Sequence, residues 1–135
     1  MWNAEFLIWI VMNENAHKNF TELEVWKKAR DLKNEIKRLT VSFPAEEKFR
    51  LTDQVIRSSR SINAAIAEGH GRYSFKDQLH FCIIARGSLS ETYNHLIDAF
   101  DCNYILQEQL FEFKNKIEEI ERLLNGYISY LRKNL

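Results

Sequence analysis

The feature that most constrains this chain lies in its last third. Leu106, Leu110, Phe113, Ile117, Ile120, Leu124, Tyr127 and Leu131 follow one another at steps that alternate between four and three residues. Such a rhythm draws one continuous apolar stripe along an α-helix, whereas a strand would scatter it over both faces. A stripe this long must be covered by other helices. Gly126 interrupts it at a cost of about 1 kcal/mol relative to Ala, which the apolar neighbours offset. The start of the chain answers in kind. Val25, Ala29, Leu32, Ile36, Leu39 and Phe43 repeat the four-three spacing. Thr21 with Glu24 three residues on reads as a capping box, so this helix is expected to begin near Glu22. Pro44 disfavours helical geometry in the residue before it and should end the helix by Phe43.

Two further helices fill the middle. Thr52 is a suitable N-cap for the stripe Val55, Ser58 or Ser59, Ile62, Ile66 and Gly69. Ser58, Ser59, Ser61, Ala64, Ala65 and Ala67 make this helix rich in small side chains, so a neighbour can approach closely. Gly69 and Gly71 are expected to end it. Ser74 with Asp77 opens the next helix, whose stripe is Leu79, Cys82, Leu89, Tyr93, Leu96 and Phe100, widened by Ile83, Ala85 and Ile97. It should stop at Asp101–Asn103. The aromatic side chains, Phe49 and Phe111 among them, lie among aliphatics at helical spacing and are expected in the core. Four glycines and one proline in 135 residues leave little turn material, which argues against an all-β domain. The chain suits one domain. The expected fold is all-α, an antiparallel up-down-up-down four-helix bundle over residues 19–135, preceded by a leader over residues 1–18.

Within that leader, Phe6 to Met12 form an apolar run. It is far shorter than the roughly 20 residues that span a bilayer. No basic residue precedes it, so it does not read as a signal peptide. Met12 is an alternative start, and residues 1–11 are expected to be an upstream extension. The two cysteines, Cys82 and Cys102, make no disulfide framework. A cytoplasmic location is the expectation.

The formal charge is zero, with 19 basic and 19 acidic residues. A binder of polyanions usually carries a basic excess, so affinity for nucleic acid would have to come from a local strip. Residues 19–43 hold six basic and four acidic residues, and residues 74–102 hold two and four. Lys27, Lys28, Arg30, Lys33, Lys37 and Arg38 on the first helix form the candidate nucleic-acid-binding strip. Its plain alternative is a solvated helix face, with Glu24, Asp31 and Glu35 interspersed.

One stretch is more specific than a bundle pattern. Phe20, Leu23 and Trp26 are followed by Phe43-Pro44, Gln54, Arg57, Ser61-Ile62, Ile66-Ala67-Glu68-Gly69, Arg72, and Ala85-Arg86-Gly87-Ser88-Leu89 with Glu91. This set resembles the four-helix-bundle family of proteins encoded in intervening sequences of 23S rRNA genes, which also contains the accessory variability proteins of diversity-generating retroelements. The resemblance spans roughly residues 19–133. It implies a homo-oligomer, with pentamers the associated form. For the retroelement branch it implies binding to RNA and to a reverse transcriptase through a basic surface. One position departs from the pattern: the family usually has Asn before I-A-E-G, where this chain has Ala65, and Asn63 lies nearby on a different part of the helix.

Arg57, Glu68, Arg86 and Glu91 fall within the matched motifs. Charges near a helix interface are costly unless paired, so these four are expected to form a structural polar network between the second and third helices. A catalytic carboxylate pair would need a cleft that a narrow bundle lacks. Glu91 and His95 share a helix face, but di-iron bundles use Glu-x-x-His twice, and His70 and His80 do not complete a ligand set. His80 and Cys82, two residues apart, point to different sides of their helix. Gly69-His70-Gly71 is a helix end and not a phosphate loop. The chain is therefore expected to be non-enzymatic, with no metal, no cofactor, no small-molecule substrate and no membrane contact. Its expected partners are copies of itself and RNA or a nucleic-acid-handling protein. The rival reading is a structural or protein-interaction module.

Overall fold

A computed structural model describes residues 19–135. Its four helices are α1 (Glu24–Thr40), α2 (Leu51–His70), α3 (Phe75–Asp101) and α4 (Gln107–Lys133), with single 3-10 turns at Phe20–Glu22 and Ala45–Glu47. The described residues form no strand. α1 packs against α2 and α4, and α3 packs against the same two, so α1 and α3 take diagonal corners of an antiparallel bundle. The stripes meet along its axis. Ala29, Leu32 and Ile36 from α1 join Val55, Ile62 and Ile66 from α2, Ala85, Leu89 and Leu96 from α3, and Phe113, Ile117, Ile120 and Leu124 from α4. A second cluster, Phe43, Leu51, Ala99 and Ile105, closes the end where both α1–α2 and α3–α4 connect. Cys82, Ile128, Tyr130 and Leu131 form a third at the opposite end.

The helix boundaries follow local chemistry, with small shifts from expectation. Asn19 Oδ1 accepts from the Thr21 amide at 3.0 Å, which closes the 3-10 turn first. Leu23, 5% exposed, is then buried as the hinge before α1, so the helix opens at Glu24 without the Thr21–Glu24 box. It ends at Thr40, where the Thr40 and Ser42 hydroxyls donate to the Lys37 and Leu39 carbonyls, each at 2.9 Å. α2 starts one residue before Thr52, because Leu51 anchors in the end cluster and draws Arg50 into the cap position. The Ser74 cap is as expected, its Oγ accepting from the Asp77 amide at 3.1 Å. α3 ends in a Schellman arrangement. Asn103 takes a left-handed φ of 63°, and the Tyr104 amide reaches back to the Ala99 carbonyl at 2.9 Å.

The small residues of α2 do what their size suggests. Thr92 Oγ1 lies 2.9 Å from Ser58 Oγ and 2.8 Å from the Ser88 carbonyl, and Ser88 Oγ donates to Ser61 Oγ at 3.2 Å. A seam of hydroxyls, buried at Ser58 and Thr92 and half-buried at Ser61 and Ser88, thus joins α2 to α3. α2 ends between the two glycines as expected, at His70 with Gly71 in the cap position, and Gly69 stands one residue inside that end, buried. A Cβ there would stand 2.8 Å from the Phe81 Cβ, so the crossing with α3 requires glycine. Ala65 is buried among the core residues of α2. Two aromatic residues expected inside, Phe49 and Phe111, are instead exposed, at 83% and 61%.

Candidate nucleic-acid interface

The spacing of the core residues turns α1 so that its two flanks meet different neighbours, and the six candidate cations divide accordingly. On the flank against α4, Lys28 Nζ lies 2.9 Å from a Glu119 carboxylate oxygen and 3.6 Å from one of Glu24. The hydrogen bond to Glu119 holds the Lys28 ammonium above its usual pKa. One level along, Glu35 pairs with Lys116 of α4. This flank is an ion-pair seam. Lys27 lies on the solvent side, 3.9 Å from Glu22.

The flank toward α2 is different. Trp26, Arg30, Lys33 and Lys37 step by four, three and four residues, a single stripe along α1. Among the described residues, none of Arg30, Lys33, Lys37 or Arg38 forms an ion pair. The Arg30 guanidinium stands over the Trp26 ring, 5.7 Å from its centroid. Trp26, half-buried, is braced by Phe20 edge-on at 5.3 Å. Asn63 of α2, 6% exposed, fixes this flank by donating from Nδ2 to the Trp26 carbonyl at 3.1 Å. Arg60, exposed and three residues before Asn63, lies on the same side of α2 and adds a cation. Sequence reasoning missed Arg60, because only the Asn63–Trp26 contact tells which side of α2 borders α1. Arg38 stands on the solvent face, off the stripe.

The four residues expected to form one polar network do not meet. Arg57 lies 3.6 Å from Asp53 within α2, and Glu68 lies 2.9 Å from Arg72, just past the end of α2. Arg86 donates to Asn125 Oδ1 of α4 at 3.0 Å. Glu91 lies 3.5 Å from His95 Nε2. The reason is the seam just described: hydroxyls of Ser58, Ser61, Ser88 and Thr92 occupy the α2–α3 contact, and the charges sit outside it.

Other candidate chemistry is separated as well. The Cys82 thiol is 4% exposed, and burial pushes its pKa up to about 12, far from a nucleophile's range. Cys102 is exposed. Among the described residues no group of three His, Cys, Asp or Glu side chains could hold a metal ion, and no helix is long and apolar enough to cross a membrane.

The comparisons with known proteins agree with this architecture. A crystal structure of a protein of unknown function from the S23 ribosomal protein family of Bacteroides thetaiotaomicron VPI-5482 superposes with a TM-score of 0.72 at 30% sequence identity, covering 78% of this chain and 95% of that one. No curated protein matches the chain. Neither the neighbour's description nor the family's names an enzymatic activity. The family profile described as 23S rRNA-intervening sequence protein matches residues 21–126. The chain belongs to the 23S rRNA-intervening sequence protein family.

Proposed function

We propose that this protein is a non-enzymatic, cytoplasmic homo-oligomer that binds RNA or a ribonucleoprotein partner along the α1–α2 border. The observation that carries this reading is the stripe Trp26, Arg30, Lys33 and Lys37, whose cations have no carboxylate partner among the described residues while those on the opposite flank are neutralised. Phosphates bind where ammonium and guanidinium groups are free, and an Arg-capped indole offers a stacking surface for an unpaired base. Net charge is a poor guide here, because acidic residues are drawn into the α1–α4 seam. Oligomerisation, which the family resemblance implies, would present several copies of the stripe and raise avidity without new contacts.

The test is binding of a labelled structured RNA at about 50 and about 200 mM salt, the range over which phosphate contacts weaken most, with the oligomer mass measured by light scattering. Binding that weakens with salt and with Lys33→Glu and Lys37→Glu supports the reading. No binding at low salt overturns it.

One observation favours a second reading, a protein-interaction module. The outer face of α3 exposes Ile83 and Ile84, each 39%, and a Cβ at Gly87 would meet nothing within 4 Å. A partner that survives nuclease treatment and no longer binds after Ile84→Glu would support it.

A further inference from the structure

A second cationic site stands apart from the α1–α2 border. Between α3 and α4, near the end of the bundle where α4 terminates, lies an open depression of about 470 Å³ lined by Arg86, Asn125, Ile128, Ser129, Arg132 and Lys133. Ile128, 2% exposed, is the apolar lining residue. Asn125, Ser129 and Arg132 follow at four and three residues, so they share the side of α4 that faces Arg86. The lining holds three cations and no carboxylate. Among the described residues neither Arg86 nor Arg132 forms an ion pair.

The bond from Arg86 Nη1 to Asn125 Oδ1 at 3.0 Å has two consequences. It holds the guanidinium across the seam, with its other N–H groups available. It also fixes Asn125 Oδ1 toward Arg86, so the Nδ2 group is the donor that Asn125 can offer a ligand. Ser129 adds a hydroxyl donor, and Arg132 a second guanidinium from the other helix. A carboxylate has two oxygens and is satisfied by one guanidinium fork. Donors converging from two helices suit a group with three or more oxygens. All of them stand on helices rather than loops, so no backbone ordering is needed on binding.

We infer that this depression binds the phosphate group of a phosphorylated ligand, held by Arg86 and Arg132 with Asn125 and Ser129 as neutral donors. The site is independent of the RNA-binding reading. It lies on the α3–α4 side of the bundle, while the stripe lies on α1, diagonal to α3. The phosphate could belong to a free nucleotide or to an RNA terminus, and the same chemistry recognises both.

The experiment is a titration of the isotope-labelled full chain with inorganic phosphate at constant ionic strength, followed by amide and arginine side-chain resonances. The expected result is saturable shifts confined to Arg86 and residues 125–133. Ser129→Glu and Arg132→Glu should weaken binding by about tenfold or more, since each places a carboxylate among the donors. Both positions are exposed, so unchanged helicity and Tm in these variants exclude misfolding as the cause. Lys33→Glu should leave phosphate binding as it was while weakening RNA binding along the stripe, which separates the two sites. Displacement of phosphate by a nucleoside monophosphate, or by terminally phosphorylated but not hydroxyl-ended RNA, supports the site and names the source. Shifts that do not saturate, that chloride reproduces, or that both charge-reversed variants retain would overturn the inference.

Discussion

Asn63 Nδ2 donates to the backbone carbonyl of Trp26 at 3.1 Å, while Asn63 Oδ1 is buried with no partner. One side chain thus makes a contact that ties α2 to the first turn of α1 and leaves an unmet acceptor beside it. The two halves oppose each other energetically. A net hydrogen bond contributes about 1 kcal/mol, and an unsatisfied buried oxygen costs about 1–3 kcal/mol. Asn63→Ala removes both, so urea unfolding should show a loss of no more than about 1–2 kcal/mol. Asn63→Asp removes the donor and buries a charge, and should cost about 3 kcal/mol or more near neutral pH, with much of the loss recovered in acid as the carboxyl protonates. Equal losses for the two variants would show that the Trp26 contact contributes little.

Two glycines in helices invite opposite outcomes. A Cβ at Gly69 would stand 2.8 Å from the Phe81 Cβ, an atom that every residue but glycine carries. Gly69→Ala should therefore destabilise by about 1–3 kcal/mol through overpacking of the α2–α3 crossing, despite the better helix propensity of alanine. A Cβ at Gly126 would meet nothing within 4 Å. Gly126→Ala should stabilise by about 0.5–1 kcal/mol. Thermal unfolding of the two variants side by side checks both signs.

That contrast also shows how far the sequence could be read. Helix number, order and core faces were legible because the four-three spacing is set by helix geometry and does not depend on which helix covers which. The Ser74 cap was legible because an N-cap is local. Pairings across helices were not. Gly69 looks in sequence like a helix terminator, and only the Phe81 contact shows that it is a crossing point. Arg57, Glu68, Arg86 and Glu91 look like partners because they lie in neighbouring motifs. Yet each is aimed away from the α2–α3 seam, and side chains four residues off, or Asn125 on α4, reach them first. The six cations of α1 stand out in sequence as a group, but their division into a neutralised and an unpaired flank depends on Glu119, more than eighty residues along the chain.

The division predicts unequal effects within the strip. Lys33→Glu and Lys37→Glu should each weaken RNA binding and reduce the slope of log affinity against log salt by about one for each phosphate no longer neutralised. Lys28→Glu should change that slope much less, because its ammonium already faces Glu119 and Glu24. Its cost should appear in stability instead, at up to about 1 kcal/mol, as for a partly exposed pair. Salt titrations of the three variants against one RNA decide the matter. An effect of Lys28→Glu on affinity as large as that of Lys33→Glu would place the RNA on the α4 flank or spread it around α1.

His70 closes α2, and burial holds its pKa below the usual imidazole value. The native state therefore resists protonating a side chain that the unfolded chain protonates readily, and between the two pKa values the unfolded state binds more protons. Stability must then rise with pH through this window, and fall as the solution is acidified from about neutral through the ordinary histidine pKa of about 6.5. Below the depressed native pKa both states are protonated and this contribution levels off. His70→Gln keeps a polar side chain of similar reach and removes the titration. Urea midpoints of the two proteins should lie closer together at neutral pH than in mild acid, with the variant holding its midpoint as the pH falls and the parent losing it. Parallel curves across that range would mean that His70 is protonated as easily in the folded protein as in the unfolded chain, and that water reaches the end of α2 more freely than its packing implies.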